Sequence, residues 1–117
     1  MELVAFLPSM DLDRSREFYE GVLGLELETQ DGFACQFRSG GTRVRVTLVE
    51  RFSPQPFTVL GWSVPDIEAA MSDLDVTFER YDGMDQDERG VWTAPSGTRV
   101  AWFKDPDGNT LALSQFP

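Results

Sequence analysis

The chain contains no histidine, one cysteine and one lysine, Lys104. Each scarcity removes a class of chemistry. Without histidine there is no Ser-His or Cys-His nucleophile system, and no imidazole to ligate a transition metal. The lone thiol, Cys35, cannot close an internal disulfide; placed between Phe33 and Phe37, it reads as a small strand residue rather than a nucleophile. No apolar run approaches the ~20 residues needed to cross a bilayer. The start Met1-Glu2-Leu3-Val4 lacks the basic opening of a secretory signal and reads directly into a strand, so cytoplasmic residence is expected. No glycine-rich stretch has phosphate-cradling or dinucleotide-binding spacing. Basic residues number 10 against 20 acidic ones, a formal net charge of −10, which disfavours nucleic acid and anionic membrane surfaces. A cationic ligand is allowed, although many soluble proteins are simply acidic.

What is present is material for a core. With 41% hydrophobic and 12% aromatic residues, the composition argues against disorder. A chain of 117 residues is expected to form a single domain over 1–117 that buries roughly 60 to 70% of its unfolded surface. The apolar pattern runs twice. Residues 2–8 form a strand ended by Pro8. Asp11 then caps a helix carrying Leu12, Ser15, Phe18, Tyr19 and Val22 at helical spacing, with Gly24 near its stop. Leu25–Glu28, Phe33–Arg38 and Arg43–Val49 read as strands, separated by Asp31-Gly32 and Ser39-Gly40-Gly41. After Ser53-Pro54-Gln55-Pro56 the pattern restarts with a strand over Phe57–Val64. Asp66 caps a second helix with Ile67, Ala70, Met71 and Leu74 on one face. Strands are predicted at Val76–Arg80, Arg99–Lys104 and Thr110–Gln115. Residues 81–97 form a polar loop with room for a short strand at Val91-Trp92-Thr93. The result is two modules, 1–52 and 57–117, each a strand, a helix and three strands.

The halves also match locally, Met10-Asp11-Leu12 with Pro65-Asp66-Ile67 and Phe37-Arg38 with Phe103-Lys104. The run Leu12-Asp13-Arg14-Ser15-Arg16-Glu17-Phe18-Tyr19, followed by Val22-Leu23-Gly24-Leu25, and the closing segment Phe103-Lys104-Asp105-Pro106-Asp107-Gly108-Asn109-Thr110-Leu111-Ala112-Leu113 resemble the vicinal oxygen chelate superfamily of glyoxalases, bleomycin-resistance proteins and extradiol dioxygenases. The resemblance covers essentially the whole chain. It implies an α+β fold of two βαβββ modules forming open curved sheets, and a homodimer with ligand clefts. The turn Asp105–Asn109 is read as structural: proline presets one turn residue, glycine accepts positive φ, and the Asp and Asn side chains bond nearby backbone.

The resemblance also implies where metal ligands would stand. One position, seven residues before the helix-capping Asp, is Val4; its counterpart in the second module is Val59. The glutamate usually found three residues after the turn asparagine is Ala112, and its counterpart in the first module is about Arg45. Three apolar residues and a cation do not suit a divalent ion. Glu26, Glu28, Glu50 and Glu79 match no ligand position. No metal and no cofactor are therefore expected.

Alternation suggests what replaces the metal. Val4, Phe6 and Pro8, with Phe57, Val59 and Gly61, and Thr110, Ala112 and Ser114, would share the concave faces, with Arg43, Arg45 and Thr47 beside the first set. Such an apolar cup with aromatic faces and an arginine edge suits a flat or amphipathic organic ligand; the alternative is that this face packs against another subunit. The arginines also mean that global acidity need not make the pocket negative. Trp62 is expected in the core. Trp102 lies in a strand of undetermined orientation, and Trp92 follows the acidic stretch Asp82–Glu88 in a loop placed as a lid or a dimer contact. Tyr81 with Asp82 is a conceivable acid-base pair. The candidate ligand-binding residues are thus Val4, Phe6, Arg43, Arg45, Phe57, Val59, Trp92, Trp102 and Ala112, with no catalytic residue among them. Superfamily members without metal ligands look like its bleomycin-resistance branch, and that resemblance implies metal-independent binding of a small molecule, sequestering an antibiotic or other aromatic or amphipathic ligand. The alternatives are a glyoxalase, isomerase or lyase type of enzyme with no metal or an atypical one, and an assembly partner that keeps the fold for its dimer surface.

Overall fold

The computed structural model describes residues 1–117. The chain separates into two units, residues 1–55 with 105–109, and residues 56–104 with 110–117. In the first, strands β1 (Val4–Ser9), β2 (Glu26–Gln30), β3 (Ala34–Ser39) and β4 (Thr42–Leu48) form a sheet in the order β1-β4-β3-β2. β1 runs parallel to β4 and the other pairs are antiparallel. Alternation divides the sheet cleanly. Leu7, Cys35, Phe37, Val44 and Val46 are buried on one face, where helix α1 (Leu12–Arg16) covers them. Asp11, in extended backbone, starts that helix by accepting from the Arg14 N–H. The helix continues through Glu17–Val22 with wider π-type turns, so that the Leu23 N–H reaches Phe18 O at 3.0 Å. This segment turns both Phe18 and Tyr19 inward, and the Tyr19 ring lies 5.7 Å from Phe37.

The second unit repeats the plan. Strands β5 (Thr58–Ser63), β6 (Trp92–Thr93), β7 (Arg99–Lys104) and β8 (Thr110–Gln115) form a sheet ordered β5-β8-β7-β6, with β5 parallel to β8. Helix α2 (Ile67–Asp73), capped by Asp66, buries Ile67 and Met71 beside β7 and β8. The expected α+β architecture and two-fold repeat are observed. One strand is not: residues 76–80 do not join a ladder. Their apolar character serves packing instead, with Phe78 edge-on to Phe103 at 5.8 Å. A single main-chain bond, Glu79 N–H to Trp102 O at 2.7 Å, ties the segment to β7. The outer strand is the short Trp92–Thr93, paired with Val100 and Arg99. No helix is long and apolar enough to cross a membrane.

The turn Asp105–Asn109 links β7 to β8 but packs as part of the first unit. Asp105 Oδ1 accepts from the Asp107 and Asn109 N–H groups, both at 2.9 Å. Its Oδ2 accepts from Tyr19 O–H at 2.6 Å and from Asn109 Nδ2 at 2.8 Å. Asn109 Nδ2 also donates to Pro8 O at 3.1 Å. Asp107 accepts from the Met10 N–H at 2.9 Å and the Ser15 hydroxyl at 3.2 Å, and Arg14 stands 3.5 Å from it. The Ser15 hydroxyl is in turn 2.6 Å from that of Ser9. The turn side chains therefore do more than bond local backbone; they complete the polar interior of the first unit, and no buried side-chain N or O is left unpartnered. Gly108 holds φ 88°, and a Cβ there would meet Pro54 Cγ at 3.0 Å, so glycine is required twice over.

Burial, and next the adjacent Asp105 charge, push the Tyr19 phenol far above its ordinary value of 10.0. The folded chain thus keeps this proton where the unfolded chain releases it. Stability from this group is complete below about pH 10 and falls as pH rises further, by about 1.4 kcal/mol per pH unit. Tyr19→Phe is expected to lower unfolding free energy by about 1–3 kcal/mol at neutral pH, because Asp105 loses a buried donor. The gap between wild type and variant should narrow above pH 10, as checked by urea unfolding. Gly108→Ala should cost more than ~1 kcal/mol, whereas Gly21→Ala, where a Cβ meets nothing within 4 Å, should be neutral or stabilising by up to ~1 kcal/mol.

Candidate functional site

Each sheet has one face on its helix and one without. On the helix-free face of the first sheet, Val4, Phe6, Arg43, Arg45, Gln36 and Arg38 come together. Val4 is in register with Arg43, which is opposite Arg38, and Phe6 with Arg45, which is opposite Gln36. Two like charges directly across a ladder repel, and Glu28 resolves this. The register slips between Leu27 and Thr29, a bulge that adds a side chain to the face. One Glu28 oxygen accepts from Arg43 Nε at 3.1 Å, the other from Arg38 at 3.1 Å. Partial desolvation raises the Glu28 carboxyl, but the bonds from Arg38 and Arg43 outweigh it and hold the group below its usual range. Arg43 also meets Glu2 at 3.2 Å. Arg45 donates to the Gln36 amide oxygen at 3.0 Å.

The helix-free face of the second sheet is aromatic. Trp102 stands opposite Ala112 on β8, and its indole N–H donates to Thr58 Oγ1 at 2.9 Å. Tyr81 packs edge-on against it at 5.7 Å and Trp92 lies tilted at 6.2 Å. A cavity of about 300 Å³ opens here, lined by Phe57, Thr58, Tyr81, Met84, Trp102 and Thr110 together with Pro56. Strict alternation fails in β5, where the register slips between Thr58 and Leu60. Thr58 thereby joins Gly61 on the Trp102 face, and Val59 sits exposed at the irregularity, away from the cavity lining. The first module has a hollow of about 540 Å³ beside Met1–Val4 and Phe6.

The expected site residues thus fall into two groups: Val4, Phe6, Arg43 and Arg45 on one sheet, and Phe57, Trp92, Trp102 and Ala112 on the other. Ala112 is only 4% exposed and lies beneath the aromatics rather than at the cavity wall. Trp92 is in the two-residue strand β6, paired with Val100. The preceding loop is tied down by Gln86, whose side chain bonds Tyr81 N, Glu79 O and Gly90 O, and by Asp87, whose carboxyl the Val91 N–H holds below its usual range. Arg38 and Gln36 were missed, though alternation with buried Cys35 and Phe37 marks them. Thr58 and Met84 carry no such mark, because a bulge and an irregular loop place them.

None of the groups around the cavity is poised as a base. The lining contains no carboxylate. Burial, then Glu79, raises the Tyr81 phenol, so it keeps its proton, and Asp82 is not part of the lining. Cys35 is buried on the helix side, and desolvation raises its thiol. The metal positions implied by the resemblance are Val4, Val59, Ala112 and Arg45, three hydrocarbons and a guanidinium engaged with Gln36. This donor set does not fit a divalent ion, and no group of three His, Cys, Asp or Glu side chains gathers elsewhere.

Comparison with known proteins agrees with this architecture. No curated protein matches the chain in sequence. Among solved structures, a superfamily member from Sphaerobacter thermophilus is 22% identical with a TM-score of 0.74, over 98% of this chain and 96% of its own. A lactoylglutathione lyase from Agrobacterium tumefaciens is 17% identical with a TM-score of 0.71, over 98% and 92%. A glyoxalase/bleomycin resistance protein/dioxygenase from Alicyclobacillus acidocaldarius is 18% identical at 0.71, over 99% and 91%. At these identities the likeness is one of fold. The sequence itself goes further, since the description of the glyoxalase/bleomycin resistance protein/dioxygenase superfamily matches residues 3–113: the chain belongs to that superfamily.

Proposed function

We propose that the protein is a metal-independent small-molecule binder that sequesters an aromatic or amphipathic ligand of antibiotic type, as a cytoplasmic homodimer. The observation that carries this reading is the cavity walled by Phe57, Tyr81, Met84 and Trp102. Its volume of about 300 Å³ matches the lower end of ligand pockets, roughly 300–1,000 Å³. Flat rings can stack on the indole and phenol faces. Orientation comes from few polar atoms: Thr58 accepts from Trp102 and keeps its own proton to donate, and Thr110 and the Tyr81 hydroxyl stand nearby. A site of this kind excludes water and holds its guest, and it offers no group to activate it. Exposed Leu3, Phe33 and Leu48 are apolar surface that a second subunit would cover. The lyase-type reading draws on fold likeness to the Agrobacterium enzyme, and the hydrocarbon residues at the metal positions weigh against it.

The test is a thermal-shift and tryptophan-quenching panel on metal-stripped protein, with aromatic peptide and glycopeptide antibiotics in one arm and divalent metals in the other. A binding drug at a hundred times its dissociation constant should add about 2.7 kcal/mol of stability and quench tryptophan emission. Trp102→Phe should weaken it about 3- to 10-fold, the equivalent of losing ~0.5–1.5 kcal/mol of ring contact. Thr58→Val should do so without altering the fold. Stabilisation by a metal and by no drug would overturn the reading in favour of an enzyme.

A further inference from the structure

The helix-free face of the first sheet carries charge opposite to that of the molecule. Arg38, Arg43 and Arg45 share it, and the only carboxylate on its strands that pairs with them is Glu28. Glu2 adds a contact to Arg43 from the exposed N-terminus. These two carboxylates serve Arg38 and Arg43 and leave Arg45, whose partner is the neutral Gln36 amide. Asp31 feels Arg45 only through space, and its carboxyl is already engaged by the Phe33 and Ala34 N–H groups. Arg45 is thus a half-buried guanidinium with no carboxylate partner beside two others, an arrangement that a bound anion would complement. In a chain of net charge −10 the general field repels anions, so such a patch is locally built and not a by-product of composition. Phe6 stands in register with Arg45 and is 67% exposed, and Val4 lies two residues away on the same face.

We propose that this face binds an organic anion, its carboxylate or phosphate held by the Arg45 fork and its apolar body laid on Phe6 and Val4. Arginine suits either head group, because its planar N–H pairs match two oxygens at once. Exposed Phe6 supplies the flat contact that a free inorganic ion would not need. The residues of this site belong to the first sheet and those of the aromatic cavity to the second unit. All three tryptophans, Trp62, Trp92 and Trp102, belong to the second sheet, so tryptophan emission reports on that unit, and the Nε–H signals of Arg38, Arg43 and Arg45 report on this face.

The experiment titrates the protein with 2-naphthoate, 2-naphthyl phosphate and neutral 2-naphthamide, following arginine Nε–H resonances and tryptophan emission together. At least one anion should shift the Arg45 signal and bind at least tenfold more tightly than the amide, and the better of the two identifies the head group. Binding should weaken at least threefold between 50 and 500 mM salt, as expected for a partly exposed pair, where the Debye length falls from over 10 Å towards 3–5 Å (order of magnitude). Arg45→Gln should lose about tenfold in anion affinity with an unchanged melting temperature, and Arg45→Lys should lose less. Equal binding of all three probes, shifts confined to the tryptophans, or unaltered anion affinity in Arg45→Gln would each overturn the proposal. A change in Arg45→Gln seen only in sedimentation would also overturn it, assigning the face to contact between copies of the chain.

Discussion

The first unit depends on one buried carboxyl group. Asp105, 86 positions along the chain from Tyr19, accepts a hydrogen bond from the Tyr19 hydroxyl, and it fixes its own turn by accepting from two backbone N–H groups. Around it, Asp107 satisfies the Met10 N–H and the Ser15 hydroxyl, and Asn109 satisfies Pro8 O. Without this turn the buried Tyr19 hydroxyl would be an unpaired dipole in a low-dielectric interior, where the cost is greatest, and the part-buried Met10 N–H and Pro8 O would lose their side-chain partners. Substituting an apolar turn would leave several polar atoms stranded at once. The motif that marks the superfamily in sequence is thus the polar part of a core.

With the interior settled, each sheet is free to use its other face. Alternation sends Val44, Val46, Cys35 and Phe37 under the helix and by the same geometry sends arginines, Gln36 and Phe6 outward. The two outward faces have different chemistry despite equivalent topology. One is cationic and stitched by Glu28; the other is aromatic and nearly free of charge. Repetition of a module has kept the backbone plan while the side chains have diverged, and function resides in the side chains.

Much of this was legible in the residues. Asp11 and Asp66 cap both helices where expected, and the glycines at the turns fall between the strands. Val4, Phe6, Arg43 and Arg45 share a face because period-two alternation is a strong geometric rule. The rule fails at Val59 and Glu28, where one extra residue changes the parity, and no local pattern announces a bulge. It fails again at 76–80, where apolar residues are needed for packing and the ladder position goes to Trp92–Thr93. The cavity itself was only half visible: Phe57 and Trp102 could be named, but Met84 comes from a loop whose path is set by the Gln86 and Asp87 side chains. That Glu28 would neutralise two arginines needed the bulge to be known first.

The distance in sequence between Tyr19 and Asp105 also has a consequence in time. During synthesis the first fifty-five residues leave the ribosome with α1 and all four strands of their sheet, yet Ser15, Tyr19, the Met10 N–H and Pro8 O must wait for residues 105–109. At ~5–20 residues per second the delay is on the order of 3 to 10 seconds. Through that interval the nascent first unit has a polar gap in its interior that only water can fill, and it locks only once residues 105–109 have been made.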